Sequence, residues 1–140
     1  MYSFRKSKKG FTLIELMVVV AIIGVLALLG LRLYTGQQEK AKNAIVKANA
    51  GTIQTLLQAE LADLDFDSVK TKVTADAPNN IFSASGIQIP GGGAQTANGT
   101  TVGEVVVDFD ETTTGAEFFK INGNAFPSGS VYSVALTARK

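Results

Sequence analysis

Residues 11–31 read FTLIELMVVVAIIGVLALLGL, 21 residues with a single charge, Glu15, and Arg32 closes the run. As a helix this stretch is about 31 Å long, the thickness of a bilayer's hydrocarbon core. A chain of 140 residues has too little remaining protein to bury so long an apolar helix, so a membrane or another copy of the chain has to cover it. Before the run stands MYSFRKSKKG, which holds Arg5, Lys6, Lys8 and Lys9 and no acid. The other residues carry nine basic against 12 acidic side chains, a net charge of −3, so the basic character belongs to the leader. By the positive-inside rule that leader stays in the cytoplasm and residues 32–140 lie outside. A cleaved secretory signal fits less well. The apolar run is longer than about 7–15 residues, and its end, GLRLYTGQQEK, has no A-x-A-like site.

Composition removes several classes of chemistry. The chain has no His and no Cys, which excludes Ser-His and Cys-His catalysis, thiol redox chemistry, Cys/His zinc sites and disulfides. No residues pair a nucleophile with a base, so no enzyme activity and no cofactor are expected.

The string KKGFTLIELMVVVAIIGVLALLG, residues 8–30, resembles the N-terminus of bacterial type IV pilins and the related pseudopilins. The resemblance joins a short basic leader, Gly10, Phe11, a lone Glu15 and an unbroken apolar stretch. It implies cleavage between Gly10 and Phe11 by a prepilin peptidase, which also N-methylates Phe11. A glycine before the cut fits this, because without Cβ its backbone is open to close approach. It also implies that Glu15 and Phe11 act in assembly of a helical homopolymer, served by an inner-membrane platform and a cytoplasmic ATPase. Before assembly the chain would sit in lipid as a single-pass inner-membrane precursor; afterwards it would form an extracellular pilus. Arg32 stands where many members of that family carry Pro.

The helical period continues through residues 33–64. Ala41, Ile45, Ala48, Thr52, Leu56 and Ala59 share one narrow face, and Val46, Ile53, Leu57 and Leu64 form a second. The bulky stripe is expected to pack on a sheet and the small-residue stripe to meet other helices. Gly24, Gly30, Gly36 and Gly51 weaken this helix, and the Gly24–Gly36 stretch is expected to bend or melt first. Further on, residues 65–103 are rich in turn formers, with brief strands expected at Val69–Val73 and Ile87–Ile89. Glu104–Phe109, Glu117–Ile121 and Val131–Leu136 read as strands of an antiparallel meander.

The expected fold is therefore α+β. Residues 1–10 form a removable leader and residues 11–32 a membrane-spanning and filament-core helix. Residues 33–64 form its amphipathic half, and residues 65–140 a small β-rich head, in the ladle shape of a pilin.

Other candidate sites are weaker. Asp63-x-Asp65-x-Asp67 resembles the start of an EF-hand loop, but Ser68 replaces the required Gly and Thr74 the final Glu. Asp108, Asp110 and Glu111 are a second acidic cluster, and the two clusters together are the candidate calcium site; the bland reading is solvated surface. Asn98-Gly99-Thr100 fits the N-glycosylation pattern. Lys70, Lys72, Lys120, Arg139 and Lys140 offer cations to DNA phosphates, but acids outnumber bases on the mature chain, so DNA binding is not indicated. The leading function is a structural subunit of a type IV pilus, used for adhesion, surface motility and, in some systems, DNA uptake. The alternatives are a pseudopilin of a type II secretion or competence system, and a membrane-tethered binding domain with an uncleaved anchor.

Overall fold

The computed structural model describes residues 10–75, 80–95, 101–110 and 118–137. Helix α1 runs over Leu13–Asp63, 51 residues without interruption. The expected weak point at Gly24–Gly36 is continuous helix. A Cβ at Gly24, Gly30, Gly36 or Gly51 would meet nothing within 4 Å, so no neighbouring group pries the backbone open there.

The chain divides into two units, Met1–Gln37 and Gln38–Lys140. The first is, as described, helix alone. Its large apolar side chains from Phe11 to Tyr34 are all exposed, from 44% at Val19 to 84% at Phe11.

The second unit closes a core around the rest of α1. Val46, Ala50, Ile53 and Leu57 are buried, the i, i+4, i+7 spacing of one helical face. Leu64 is half-buried; of the other stripe Ala41, Ile45, Ala48, Thr52 and Ala59 are exposed, but Leu56 is half-buried and packs against the core. The bulky stripe therefore faces the core and the small-residue stripe, Leu56 apart, faces away.

After α1 come two short helices, the first in place of an expected brief strand. Helix α2 covers Phe66–Thr74 and α3 covers Ile81–Ser85. Val69–Val73 is thus helical, which corrects the strand reading. Val69, Thr71 and Val73 satisfy a two-residue period, but Phe66, Val69 and Val73 also satisfy a helical one. The helical set is the one buried. Ile87–Ile89 forms no named strand; only Gln88 makes an isolated bridge, to Ala94.

Strands β1 (Val105–Asp110), β2 (Phe118–Asn124) and β3 (Ser130–Thr137) form one antiparallel sheet in the order β1-β2-β3. The meander is as expected, with each strand displaced or extended by one to three residues. Val105, Val107, Phe119, Ile121 and Leu136 point into the core with the buried face of α1 and with Phe66, Val69, Val73, Ile81 and Phe82. The Phe66 and Phe119 rings lie 4.7 Å apart, tilted by 38°. Sheet and helix approach closely at Gly123, where a Cβ would come within 3.0 Å of Val46.

Side-chain amides tie α1 to the loops of the head. The Asn43 Nδ2 donates to the Phe126 carbonyl at 3.0 Å, and its Oδ1 accepts from the Phe126 N–H at 2.7 Å. Asn49 donates to the Gln88 carbonyl, and the Tyr132 hydroxyl donates to Gln54 Oε1. At the start of β1 the buried Gln95 amide meets both backbone groups of Val105, donating to its carbonyl at 2.6 Å and accepting its N–H at 3.1 Å. A single amide supplies the donor and acceptor that a neighbouring strand would offer there.

Candidate functional site

The N-terminal end of α1 holds the residues singled out for processing and assembly. Gly10 is exposed, and a Cβ there would meet nothing within 4 Å. The chain itself therefore places no demand for glycine at this position. Phe11 is 84% exposed. Thr12 precedes the first helical residue, Leu13.

Glu15 is engaged by Thr12. Its Oε2 accepts from the Thr12 N–H at 2.9 Å and from the Thr12 hydroxyl at 2.8 Å. In return the Glu15 N–H donates to Thr12 Oγ1 at 3.3 Å. This is the reciprocal capping box of the pattern Ser/Thr-x-x-Glu/Gln, which satisfies backbone donors that a helix start leaves open. Sequence reasoning had Glu15 but not Thr12 as its partner, although Thr12-Leu13-Ile14-Glu15 spells the pattern. The box fixes where the helix starts and holds a carboxylate beside Phe11. An acid in the first turn also suits the positive end of the helix dipole.

The remaining candidates do not assemble into a site. Asp63 ends α1, Asp65 is the N-cap of α2 and Asp67 lies in its first turn. Asp65 Oδ1 accepts from the Ser68 hydroxyl at 2.6 Å, so the residue at the would-be glycine position serves a local turn instead. Asp108 and Asp110 lie on β1, and Asp108 accepts from the Asn122 amide at 3.2 Å. Among the described residues no group of three or more His, Cys, Asp or Glu side chains is placed to hold a metal ion, the candidate carboxylates Asp63, Asp65, Asp67, Asp108 and Asp110 included. Of the surface cations, Lys72 pairs with Glu60 at 2.5 Å, Lys70 lies 4.7 Å over the Phe109 ring and Lys120 stands opposite Asp108 in the sheet register. Glu111, Asn98, Arg139 and Lys140 lie outside the described residues.

Comparison with a known family bears on this end of the chain directly. Residues 5–31 match the family model described as the prokaryotic N-terminal methylation motif. The chain is 47% identical over 55 residues to fimbrial protein EcpB of Eikenella corrodens, covering 39% of this chain and 35% of that protein. It is 33% identical over 106 residues to fimbrial protein Q of Moraxella bovis, covering 67% and 66%. It is 37% identical over 62 residues to the type IV major pilin protein PilA of Myxococcus xanthus, covering 44% and 28%. The matched part thus spans from about a third to two thirds of the length of the first relatives. No solved structure matches the chain significantly. With the methylation motif at its start, fimbrial proteins among its relatives, and a long N-terminal helix on a small antiparallel sheet, the chain belongs to the bacterial type IV pilin family.

Proposed function

We propose that this chain is the structural subunit of a type IV pilus, with a mechanical and adhesive role rather than a catalytic one. It is stored as a single-pass inner-membrane precursor with residues 1–10 in the cytoplasm. A prepilin peptidase cuts between Gly10 and Phe11 and methylates the new amine. An assembly platform driven by a cytoplasmic ATPase then draws subunits into a helical homopolymer.

The observation that carries this reading is the exposure of every large apolar side chain from Phe11 to Tyr34 on an unbroken helix. Such a surface has to exchange one apolar surrounding, lipid, for another, the helices of neighbouring copies. The apolar contacts are non-directional, so register has to come from polar groups. Cleavage creates a basic amine on Phe11, beside the Glu15 carboxylate. Either charge left alone in an apolar filament core is strongly penalised. Pairing between the amine and Glu15, within one chain or between neighbours, selects the register in which both are satisfied; buried ion pairs act in this way more reliably than as net stabilisers.

The proposal is tested by shearing surface filaments from cells with and without this chain and viewing them by electron microscopy. Long surface filaments that disappear with the chain are expected. Loss of secretion or DNA uptake without loss of long filaments would point to a pseudopilin. A membrane protein that never polymerises would point to a tethered domain.

A further inference from the structure

The two edges of the sheet are finished differently. At the β1 edge the Gln95 side chain takes both backbone groups of Val105, so Val105 faces away from β2. The same strand carries Asp108 and Asp110, and Lys70 lies 4.7 Å over the Phe109 ring. Plugs and charges of this kind keep an edge from pairing further. Strand alternation turns Val106, Asp108 and Asp110 toward β2, and it turns Gly123, Ile121 and Phe119 of β2 toward Tyr132, Val134 and Leu136 of β3. The N–H and C=O groups of Ser133, Ala135 and Thr137 therefore point outward from the β3 edge. Among the described residues they meet no hydrogen-bond partner. Strand β3 is the longest of the three, eight residues reading SVYSVALT, with no charge, Pro or Gly to blunt it. Ser133, Ala135 and Thr137 also carry small, exposed side chains. Beside this edge runs a groove of about 330 Å³, lined by Gln58, Leu61 and Ala62 of α1 and Ala135, Leu136 and Thr137 of β3.

We propose that the β3 edge takes up an extended segment of a different polypeptide as a fourth strand. A row of outward N–H and C=O groups is matched by another backbone, and alternate side chains of the added strand then fall into the groove between β3 and α1. Neither β3 nor the groove lining contains a charged residue, and a charge brought there would lose water without gaining a partner. The segment is therefore uncharged and free of Pro, with small or branched side chains toward the groove. A second copy of this chain fits the edge poorly. In an antiparallel β3–β3 pair the two-fold axis stands perpendicular to the sheet. The second half of α1 lies against the sheet face, so the two α1 helices would run in opposite directions. Copies that share one membrane, as the pilus reading has them, run the same way. The β1 edge of a second copy offers only Val107 and Phe109, because Gln95 occupies Val105.

The test titrates the full chain in detergent with a capped peptide of alternating Thr and Val, and reads amide hydrogen exchange residue by residue by NMR. Saturating peptide is expected to slow exchange at Ser133, Ala135 and Thr137 roughly tenfold or more, as each joins a new ladder, and to leave Val107 and Phe109 unchanged. Ala135→Pro removes one outward N–H, a change that an edge strand tolerates. Ala135→Lys instead sets a charge on the edge. Both variants are expected to bind the peptide roughly tenfold more weakly. The inward amides of Val134 and Leu136 keep their wild-type protection and show that β3 is still paired; where Ala135→Pro loosens it, Ala135→Lys decides. No slowing in the wild type, slowing at Val107 and Phe109 instead, or undiminished binding by the variants would overturn the proposal. Slowing that rises with the chain's own concentration, without peptide, would assign the edge to a second copy and overturn it as well. None of these outcomes touches the pilus reading, which stands or falls on the filaments.

Discussion

The Glu15 carboxylate has two separable duties, and one substitution tells them apart. As the third helical residue it accepts the Thr12 N–H and hydroxyl on Oε2, a duty that a glutamine performs as well. As the proposed partner of the Phe11 amine it has to be charged. Glu15→Gln keeps the cap and removes the charge; Glu15→Leu removes both. Both precursors are expected to insert and to be cleaved at Gly10, since taking a charge out of an apolar segment eases insertion. Filament yield is expected to collapse equally in the two. Counts of sheared filaments at matched expression provide the check, and wild-type yield from Glu15→Gln would leave Glu15 as a cap only. At this scale much was legible. Gly10, Phe11 and Glu15 stand out because a basic leader, a glycine and a lone acid interrupt an otherwise featureless apolar text. Thr12 is equally legible as the start of the box, since Thr12-Leu13-Ile14-Glu15 spells its pattern.

Among the elements, the second half of α1 does two kinds of work for the head. Ile53 and Leu57 fill the core, and Asn43 clamps both backbone groups of Phe126, which lies 83 residues further along the chain. Ile53→Ala is expected to lower the stability of the head by about 2–5 kcal/mol. Asn43→Ala is expected to cost about 1–3 kcal/mol, because it strands a partly buried N–H and carbonyl. Thr52→Ala, on the exposed face, should stay within about 0.5 kcal/mol. Urea unfolding of the detergent-solubilised chain, followed by circular dichroism, measures all three; equal losses at Thr52 and Ile53 would contradict the assignment of faces. The division of α1 into a bulky and a small-residue stripe could be read from periodicity, because apolar side chains recurring at the helical spacing leave little freedom about which face turns inward. Helices α2 and α3 could not. The run Val69-Lys70-Thr71-Lys72-Val73 is too short to separate a two-residue period from a helical one, and a contact distant in sequence, Phe66 against Phe119, helps decide the matter. The Asn43 and Gln95 clamps were hidden for a related reason: a side-chain amide that stands in for backbone leaves no local pattern.

For the molecule as a whole, the two units differ in what they leave uncovered. Unit one buries none of its large apolar side chains between Phe11 and Tyr34, whereas the second has its own closed core. A chain built so is incomplete alone, and the account turns on what happens at the junction of Gly10 and Phe11. On the proposed reading the leader supplies four cations to the membrane's inner face, and once it is removed the amine of Phe11 is the charge that pairs with Glu15. The most direct test is the intact mass of the subunit from native filaments. The account predicts a chain that begins at Phe11, lighter than the full sequence by residues 1–10 and heavier by one methyl group. A subunit that keeps residues 1–10, or one that begins near residue 36 beyond the apolar run, would contradict it.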